Sequence, residues 1–390
     1  MQLMLSNRLA LVAVLIAAIL AIGVIAYLIL SPGSGEETVT EAPASTREAK
    51  ETATITQSPV AEEEKEEQKE ELIPFRFQSG YGIRVIPDIG IAFNVFEQCG
   101  LRLEGGGPQK IAGREVVAPY IVGGRPEPIL KGDAYGGVLP TLLSLKPIEQ
   151  GAPLKVVASL SDASHPIIVV RKDLNVKSPE DLKGLKIATT RPGFPPHLTL
   201  LNLLEKVGLS EKDVEIISVS GGPLGPIVLN MLKKGEVDAA SLPPQEAAYV
   251  LSQGVAKLLE IDVELEKILF TSVIVNSKWA EENPEAVVRL ICAVDKILEI
   301  IHTEDPEIVA DALLNNTPPE IREYYSQFDR ETVVLYITLL REGFSRSVEI
   351  DMEAVENIIE IAKKLGIVSQ LTPEQVVDTK YLEEYLKQKR

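Results

Sequence analysis

The chain has 390 residues, of which 45% are hydrophobic and 25% are charged, and its formal net charge is −18 at pH 7. This length allows two lobes or domains that each bury a core. The acidic balance argues against a nucleic-acid partner, because binding to a phosphate backbone requires clustered Lys and Arg. It does not exclude a small anion, since a pocket depends on its local donors.

The amino-terminal stretch 9–30 is a run of 22 residues without a charge. At about 1.5 Å per residue it would cross a hydrocarbon core of roughly 30 Å. We interpret it as a single-pass transmembrane anchor, with a cleaved signal peptide as the alternative. The run is longer than the usual apolar region of a signal peptide and lacks an Ala-x-Ala site. Residues 1–8, which include Arg8, would be cytoplasmic, and the binding domain would lie outside the cytoplasm.

Residues 31–73 form a segment rich in Glu, Thr, Ser, Pro and Ala. Such a composition cannot bury enough apolar surface to offset its ordering entropy. We therefore predict a disordered acidic linker, followed by a folded part that begins at residue 74.

The folded part opens with the predicted strand Phe75–Ser79, which is followed by Gly80-Tyr81-Gly82. Glycines beside an aromatic residue at a strand's end allow a ligand to approach the backbone closely. Tyr81 is therefore a candidate aromatic wall, and the alternative is a turn in which it covers the core. Tyr135, beside the next short strand, is a second candidate wall from the same lobe.

Two predicted strands follow, Leu154–Leu160 and Ile167–Val170. The second is apolar and β-branched throughout, which predicts a central strand that is buried on both faces. Ser164 and His165 precede it. The histidine would either donate a hydrogen bond to an anionic ligand or cap a turn.

The stretch 182–254 repeats a unit of strand, loop and helix, with strands at Leu185–Ala188 and Val214–Val219 and a third at Ala239–Leu242. This alternation predicts βαβ units on a parallel sheet. Ligands of such sheets bind beyond the carboxyl ends of the strands. The loops at those ends are therefore the predicted binding surface.

Arg191 follows the first of these strands and precedes a helix. A guanidinium group beside a helix amino terminus is a suitable receptor for a carboxylate or sulfonate, and a surface arginine is the alternative. Ser241 ends the third strand, where a hydroxyl often bonds only to nearby backbone. The predicted ligand-binding residues are Tyr81, Tyr135, Ser164, His165, Thr190, Arg191, Gly193, Gly221, Gly222 and Ser241.

The two cysteines, Cys99 and Cys292, lie in apolar periodic contexts. A buried free thiol is the more common outcome in such contexts, although an extracellular location would permit a disulfide. No cysteine or histidine pair has the spacing of metal ligands, so we predict no metal and no other cofactor. Beyond residue 283 the pattern is helical.

Five segments carry a family resemblance: 132–134, 153–158, 167–173, 181–188 and 234–240. Together they resemble the solute-binding proteins of ABC importers for nitrate, sulfonates, taurine, bicarbonate and thiamine precursors, which include NMT1/THI5-like proteins. The resemblance implies an α/β type II periplasmic-binding-protein fold. Such a fold has two lobes with mixed, mainly parallel sheets, a hinge, and additional carboxy-terminal helices.

The resemblance also implies domain boundaries. The predicted first lobe comprises residues 74–176 and 268–300, and the predicted second lobe comprises 177–267. Hinges are expected near Lys172–Lys177 and Glu266–Phe270. The helices of 301–390 are expected to pack on the first lobe.

The function implied by the resemblance is that of a monomeric binder, not an enzyme. It would capture a small anionic or zwitterionic solute outside the cytoplasm and deliver it to an ABC permease with its ATPase. Two alternatives are an enzyme of pyrimidine or thiamine-precursor synthesis on the same fold and a sensory ectodomain. The cysteine-rich motif of that enzyme branch does not occur in this sequence.

Overall fold

The computed structural model describes residues 71–111, 114–161, 167–220 and 224–390, and these residues form thirteen strands and fifteen α-helices. The strands are β1 Ile73–Ser79, β2 Leu101–Glu104, β3 Gly107–Ile111, β4 Arg114–Ala118, β5 Ile121–Val122, β6 Gly136–Pro140, β7 Leu154–Ser161, β8 Ile168–Arg171, β9 Lys186–Thr189, β10 Glu215–Ser218, β11 Ala239–Ser241, β12 Ala256–Leu258 and β13 Thr271–Asn276. The helices are α1 Val85–Ala92, α2 Val95–Gln98, α3 Glu127–Lys131, α4 Leu142–Glu149, α5 Pro195–Lys206, α6 Leu224–Lys234, α7 Pro244–Ser252, α8 Ser277–Glu282, α9 Pro284–Thr303, α10 Pro306–Asn315, α11 Pro319–Tyr325, α12 Arg330–Gly343, α13 Met352–Lys364, α14 Pro373–Val376 and α15 Lys380–Lys389.

The first sheet has six strands, in the order β2-β1-β6-β13-β7 with β5 beside the end of β1. Strands β2, β5 and β6 run parallel to β1, and β13 runs antiparallel to both of its neighbours. Ser79 pairs with Val138, and Thr271 pairs with both Pro140 and Ser161. The carboxyl ends of β1, β6 and β7 therefore meet at one edge, which we call edge 1.

The second sheet has five strands, in the order β10-β9-β11-β8-β12. Strands β10, β9 and β11 are parallel, whereas β8 is antiparallel to β11 and β12. Thr189 pairs with Ser218, and Ser241 pairs with Ile168. The edge at which β9, β10 and β11 end is called edge 2. The predicted α/β fold with mixed sheets is confirmed.

Strand β8 is buried on both faces, as predicted from its β-branched sequence. Ile168 and Val170 pack with Leu200 and Leu203 of α5. Val169 points to the opposite side, where it belongs to the core formed with α6 and α7. Helices thus cover both faces of the second sheet.

The position of β8 corrects the predicted lobe boundary. It pairs only with strands of the second sheet, so the chain passes from the first sheet to the second between Ser161 and Ile167, not near Lys172–Lys177. It returns between Leu258 and Thr271. An apolar run identifies a buried strand, but it carries no information about which of two sheets will pair with that strand.

The carboxy-terminal helices contact both lobes rather than the first lobe alone. Helix α10 packs against α1 and α12, and α12 packs against α7 of the second lobe. The hydroxyl of Tyr324 in α11 also donates to Oε1 of Gln245 in α7, at 2.8 Å. These helices therefore form an additional connection between the lobes.

Cys99 and Cys292 form a disulfide, with their Cα atoms 6.0 Å apart. The expectation of buried free thiols was wrong. Cys99 follows α2 and Cys292 lies in α9, so the bond fastens a long helix to the first sheet's outer layer. A stable disulfide is typical of proteins that fold in an oxidising compartment.

The expected single-pass membrane anchor also requires correction. Among residues 71–111, 114–161, 167–220 and 224–390, no helix combines the length and the apolar character needed to cross a membrane. The predicted anchor at 9–30 and nearly all of the predicted linker at 31–73 lie outside these residues.

Glu149, at the end of α4, binds the segment between α13 and α14. One carboxylate oxygen accepts hydrogen bonds from the backbone N–H groups of Ser369 and Gln370, at 2.5 and 2.9 Å, and the other accepts from Lys146. The lysine and these N–H groups lower the pKa of Glu149 from 4.5 to about 2. The charged carboxylate is therefore favoured in the folded chain.

We expect Glu149→Gln to destabilise the protein at pH 7, because the amide cannot accept three charge-assisted hydrogen bonds. The folded pKa is lowered, so this stabilisation is complete above pH 4.5 and disappears as the pH falls towards 2. Denaturant unfolding of both proteins at pH 7 and pH 3 measures the difference. The exposed Glu360→Gln in α13 is the control. A difference between Glu149→Gln and the natural chain that is independent of pH would contradict this account.

Candidate functional site

The candidate site lies at edge 2, where β9 ends and α5 begins. Thr189 is completely buried, and its Oγ1 has no hydrogen-bond partner among the described residues. Oγ1 of Thr190 and Nδ1 of His197 are also buried atoms without a hydrogen-bond partner among the described residues. Buried polar groups normally have partners, so three unpartnered ones within nine residues of sequence indicate a position for a ligand or for ordered water.

The loop that leads into α5 has an unusual helix start. Gly193 has φ +86°, a conformation that side chains disfavour, and Pro195 and Pro196 occupy the first two helix positions. Prolines have no N–H group, and the N–H of His197 already donates to the carbonyl of Phe194. The backbone of this helix terminus therefore lacks the free donors that the sequence analysis expected to bind an anion.

Side chains must accordingly supply the donors in this region. Arg191 is exposed, its guanidinium carbon lies 5.0 Å from the ring centre of Phe194, and it forms no ion pair with any described residue. Burial lowers the pKa of His197, so its imidazole is neutral at pH 7 and can donate or accept a hydrogen bond. The two threonine hydroxyls complete a set that suits a polar or anionic group.

Ser241 is close to this set but already bonded. Its side chain is buried, and its hydroxyl donates to the carbonyl of Pro196 at 2.8 Å. It therefore fixes the start of α5 against the end of β11.

An apolar cavity of about 300 Å³ lies beside the loop, between the two lobes. Its wall includes Gly193 and Phe194 from the second lobe and Leu142 from the first. A Cβ on Gly193 would lie 3.5 Å from Leu365 and 3.9 Å from Leu142, so the loop already approaches the first lobe and the end of α13. The remaining lining residues are Pro140, Leu143, Pro192, Pro195, Leu198, Phe270, Ile358, Leu365 and Ile367.

The structure does not bring Tyr135 to either edge. It precedes β6 at the amino end of that strand, five residues before Pro140, which corresponds to roughly 16 Å along the strand. Its ring stacks on Trp279, with 4.5 Å between the centroids. The predicted role of Tyr135 as an aromatic wall therefore has no geometric basis.

Tyr81 lies in a short 3-10 turn directly after edge 1, as the sequence predicted, although its side chain is outside the described part. The predicted site residues Ser164, His165, Gly221 and Gly222 lie outside the described residues altogether. Thr190, Arg191, Gly193 and Ser241 are the predicted residues that the structure places together.

Part of the chain is similar to a known protein family. The family model "NMT1/THI5 like" matches residues 116–307. Residues 116–307 are therefore similar to the NMT1/THI5-like family. This match confirms the resemblance predicted from the sequence. A protein of Haemophilus influenzae provisionally assigned to thiamine biosynthesis is 40% identical over 92 residues, which are 24% of this chain and only 27% of that relative.

Solved structures with a similar fold include periplasmic sulfonate-binding and nitrate-binding proteins. The aliphatic sulphonate binding protein of Escherichia coli has a TM-score of 0.59 and 14% identity, over 80% of this chain and 99% of its own. A desulfurization enzyme has a TM-score of 0.50 and 14% identity, over 82% and 100%. At these identities the likeness concerns the fold, which binders and an enzyme share.

Sequence reasoning missed a buried polar cluster near edge 1. Arg84 stands immediately before α1, and its Nε donates to Oδ2 of Asp88 at 3.2 Å. The hydroxyls of Tyr120 and Tyr325 donate to the same carboxylate, at 2.5 and 2.9 Å. A charged pair four residues apart within the apolar run 83–92 was the available signal, because ions in a buried helix start require partners.

Proposed function

We propose that this chain is the solute-binding component of an ABC importer, and that it captures a small organic anion between edge 1 and edge 2. The observation that carries the proposal is the group of unpartnered polar atoms of Thr189, Thr190 and His197 at the end of β9. Edges of this kind, at the carboxyl ends of strands, are where α/β sheets bind ligands.

The chemistry of this region favours an anion with an apolar part. Arg191 offers a guanidinium group without an ion pair among described residues, and the threonine hydroxyls are further donors. The adjacent apolar cavity of about 300 Å³ matches the lower limit of small-molecule pockets. A carboxylate or sulfonate carrying a short carbon chain would satisfy both surfaces.

The family match and the similar binding proteins support an importer role. The partners proposed on this basis are a membrane permease and its ATPase, which would receive the solute from the closed chain. The likeness to a periplasmic sulphonate binding protein favours a sulfonate or a chemically similar oxyanion as the solute.

Binding should be measurable with the purified chain. We expect a rise in melting temperature with at least one compound from a panel of sulfonates, carboxylates, nitrate, bicarbonate and amino-pyrimidines, because a ligand that binds only the folded state stabilises it. Arg191→Ala should weaken that binding about ten-fold, in line with a charge-assisted hydrogen bond of about 1.5–3 kcal/mol. Titration calorimetry measures the affinity.

Arg102→Ala is the matched control, since Arg102 is an exposed arginine on β2, away from both edges. The absence of any thermal shift across the panel would contradict the proposed function. If Arg191→Ala binds the compound with the same affinity as the natural chain, Arg191 is not part of the binding site.

An enzyme is the second candidate, because a desulfurization enzyme shares the fold and the partial relative is assigned to thiamine biosynthesis. Both cysteines of the chain are joined in the disulfide, so a cysteine nucleophile is not available in this state. Incubating the purified chain with each compound that it binds, followed by mass analysis, separates the two functions. Product formation at a rate proportional to protein concentration would favour the enzyme.

A further inference from the structure

Arg84 occupies a position at edge 1 that the proposed function does not use. It follows the 3-10 turn Tyr81–Ile83 that begins immediately after β1. Its side chain is only 2% exposed, and its Nη2 atom is buried without a hydrogen-bond partner among described residues. A guanidinium with an unpaired N–H end in the interior is costly, so such a group normally meets an acceptor.

Asp88 does not satisfy this end of the guanidinium. The carboxylate bonds to Nε, which lies on the same edge of the guanidinium as Nη2, but it forms no hydrogen bond with Nη2. Its two oxygens also accept from Tyr120 and Tyr325. The ring of Tyr324 lies against the guanidinium, with 3.8 Å from the central carbon to the ring centre. Carboxylate and ring together fix the orientation of Arg84, and Nη2 has no hydrogen-bond partner among the described residues.

Arg84 also lies where the lobes meet. Tyr324, which covers the guanidinium, donates its hydroxyl to Gln245 in the first turn of α7. Helix α7 begins three residues after β11 ends at edge 2. Gly80, at the end of β1, approaches Pro140 so closely that a Cβ would lie 3.2 Å from the proline ring, and Pro140 lines the apolar cavity. Arg84 is therefore linked to α7 through Tyr324, and it lies four residues after Gly80 at edge 1.

We propose that Arg84 is a ligand-binding residue, whose Nη2 group donates to the carboxylate, sulfonate or phosphonate of a solute held between the lobes. This assignment rests on the proposed function and makes it more specific. Arg191, which is exposed, would then attract the anion at the entrance, and Arg84 would hold it. An arginine fork gives bidentate geometry that selects oxyanions over neutral groups of the same shape.

The test compares anionic probes with their neutral isosteres. Ethane- to hexanesulfonate are titrated into the natural chain by calorimetry alongside the sulfonamides of equal length, and carboxylates alongside their amides. We expect at least one anion to bind ten-fold or more tightly than its isostere. Arg84→Lys, which keeps the charge but loses the fork, should reduce that preference ten-fold or more and leave binding of the neutral compound unchanged.

Arg76→Lys is the matched control, because Arg76 lies three residues before the end of β1 and its guanidinium packs over Tyr135, at the amino end of β6. It should retain the full anion preference. An unchanged preference for the anion in Arg84→Lys would overturn the assignment of Arg84 but not the proposed function. It would indicate that water satisfies Nη2. Absence of binding of every probe by the natural chain would overturn the proposed function, and this assignment with it.

A second variant covers the case in which Arg84→Lys does not fold. Arg84→Gln combined with Asp88→Asn removes both charges of the buried pair, which disturbs folding less than leaving one of them unpaired. This double variant should show a cooperative melting transition and no preference for the anion. A folded double variant that still prefers anions would equally overturn the assignment.

Discussion

Replacing both cysteines with alanine should lower the free energy of unfolding by about 2–5 kcal/mol. The disulfide joins residues 193 positions apart, so it removes a large amount of conformational freedom from the unfolded chain. The loss should appear as a lower denaturant midpoint in Cys99→Ala/Cys292→Ala than in the oxidised natural chain.

The natural chain unfolded in the presence of a reductant is the control, because it lacks the cross-link but keeps both sulfur atoms. Its midpoint should match that of the double variant. Equal midpoints for the oxidised and reduced natural chain would show that the disulfide contributes nothing to stability.

Glu246→Gln should stabilise the protein at pH 8 by about 1–3 kcal/mol. Glu246 is half-buried in the first turn of α7 and forms no ion pair among described residues, and burial raises its pKa from 4.5 to about 7. The unfolded chain therefore releases this proton more readily than the folded chain. Stability consequently falls as the pH rises from about 4.5 to 7 and is constant above it, whereas the glutamine variant has no such dependence.

Thermal unfolding of both proteins between pH 4 and pH 8 measures the predicted difference in how their stability depends on pH. Glu331→Gln is the matched control, since Glu331 is an exposed acid in the first turn of α12 and loses the same interaction with the helix dipole. Parallel stability profiles for Glu246→Gln and the natural chain across this range would contradict the account.

The two-sheet fold was predictable because its signals are local. Alternation of apolar strands with helices in 182–254 determines β9, β10 and β11, and the β-branched run of β8 predicts burial on both faces. The sheet to which β8 belongs was not predictable in the same way. Pairing with β11 and β12 depends on contacts with segments roughly 70 to 90 residues later in the chain.

The candidate site was predictable only in part, because some of its contacts also join segments that are far apart in sequence. Arg191 and Thr190 follow a strand in sequence, so their place at edge 2 follows from the strand's direction. Tyr135 precedes its strand, which places it at the opposite end of the sheet, against Trp279. The guanidinium of Arg84 packs against the ring of Tyr324, which lies 240 positions later in the chain. No pattern within one segment predicts such a contact.

The packing of α12 on α7 has a consequence for how the cleft can open. Two strand connections alone would allow one lobe to swing widely away from the other. The additional helical attachment restrains that swing, because α12 would have to slide over α7 or separate from α10. Packed helices slide by small shear steps. We therefore expect a narrow, stiff aperture, which would admit small molecules and exclude polymers by size.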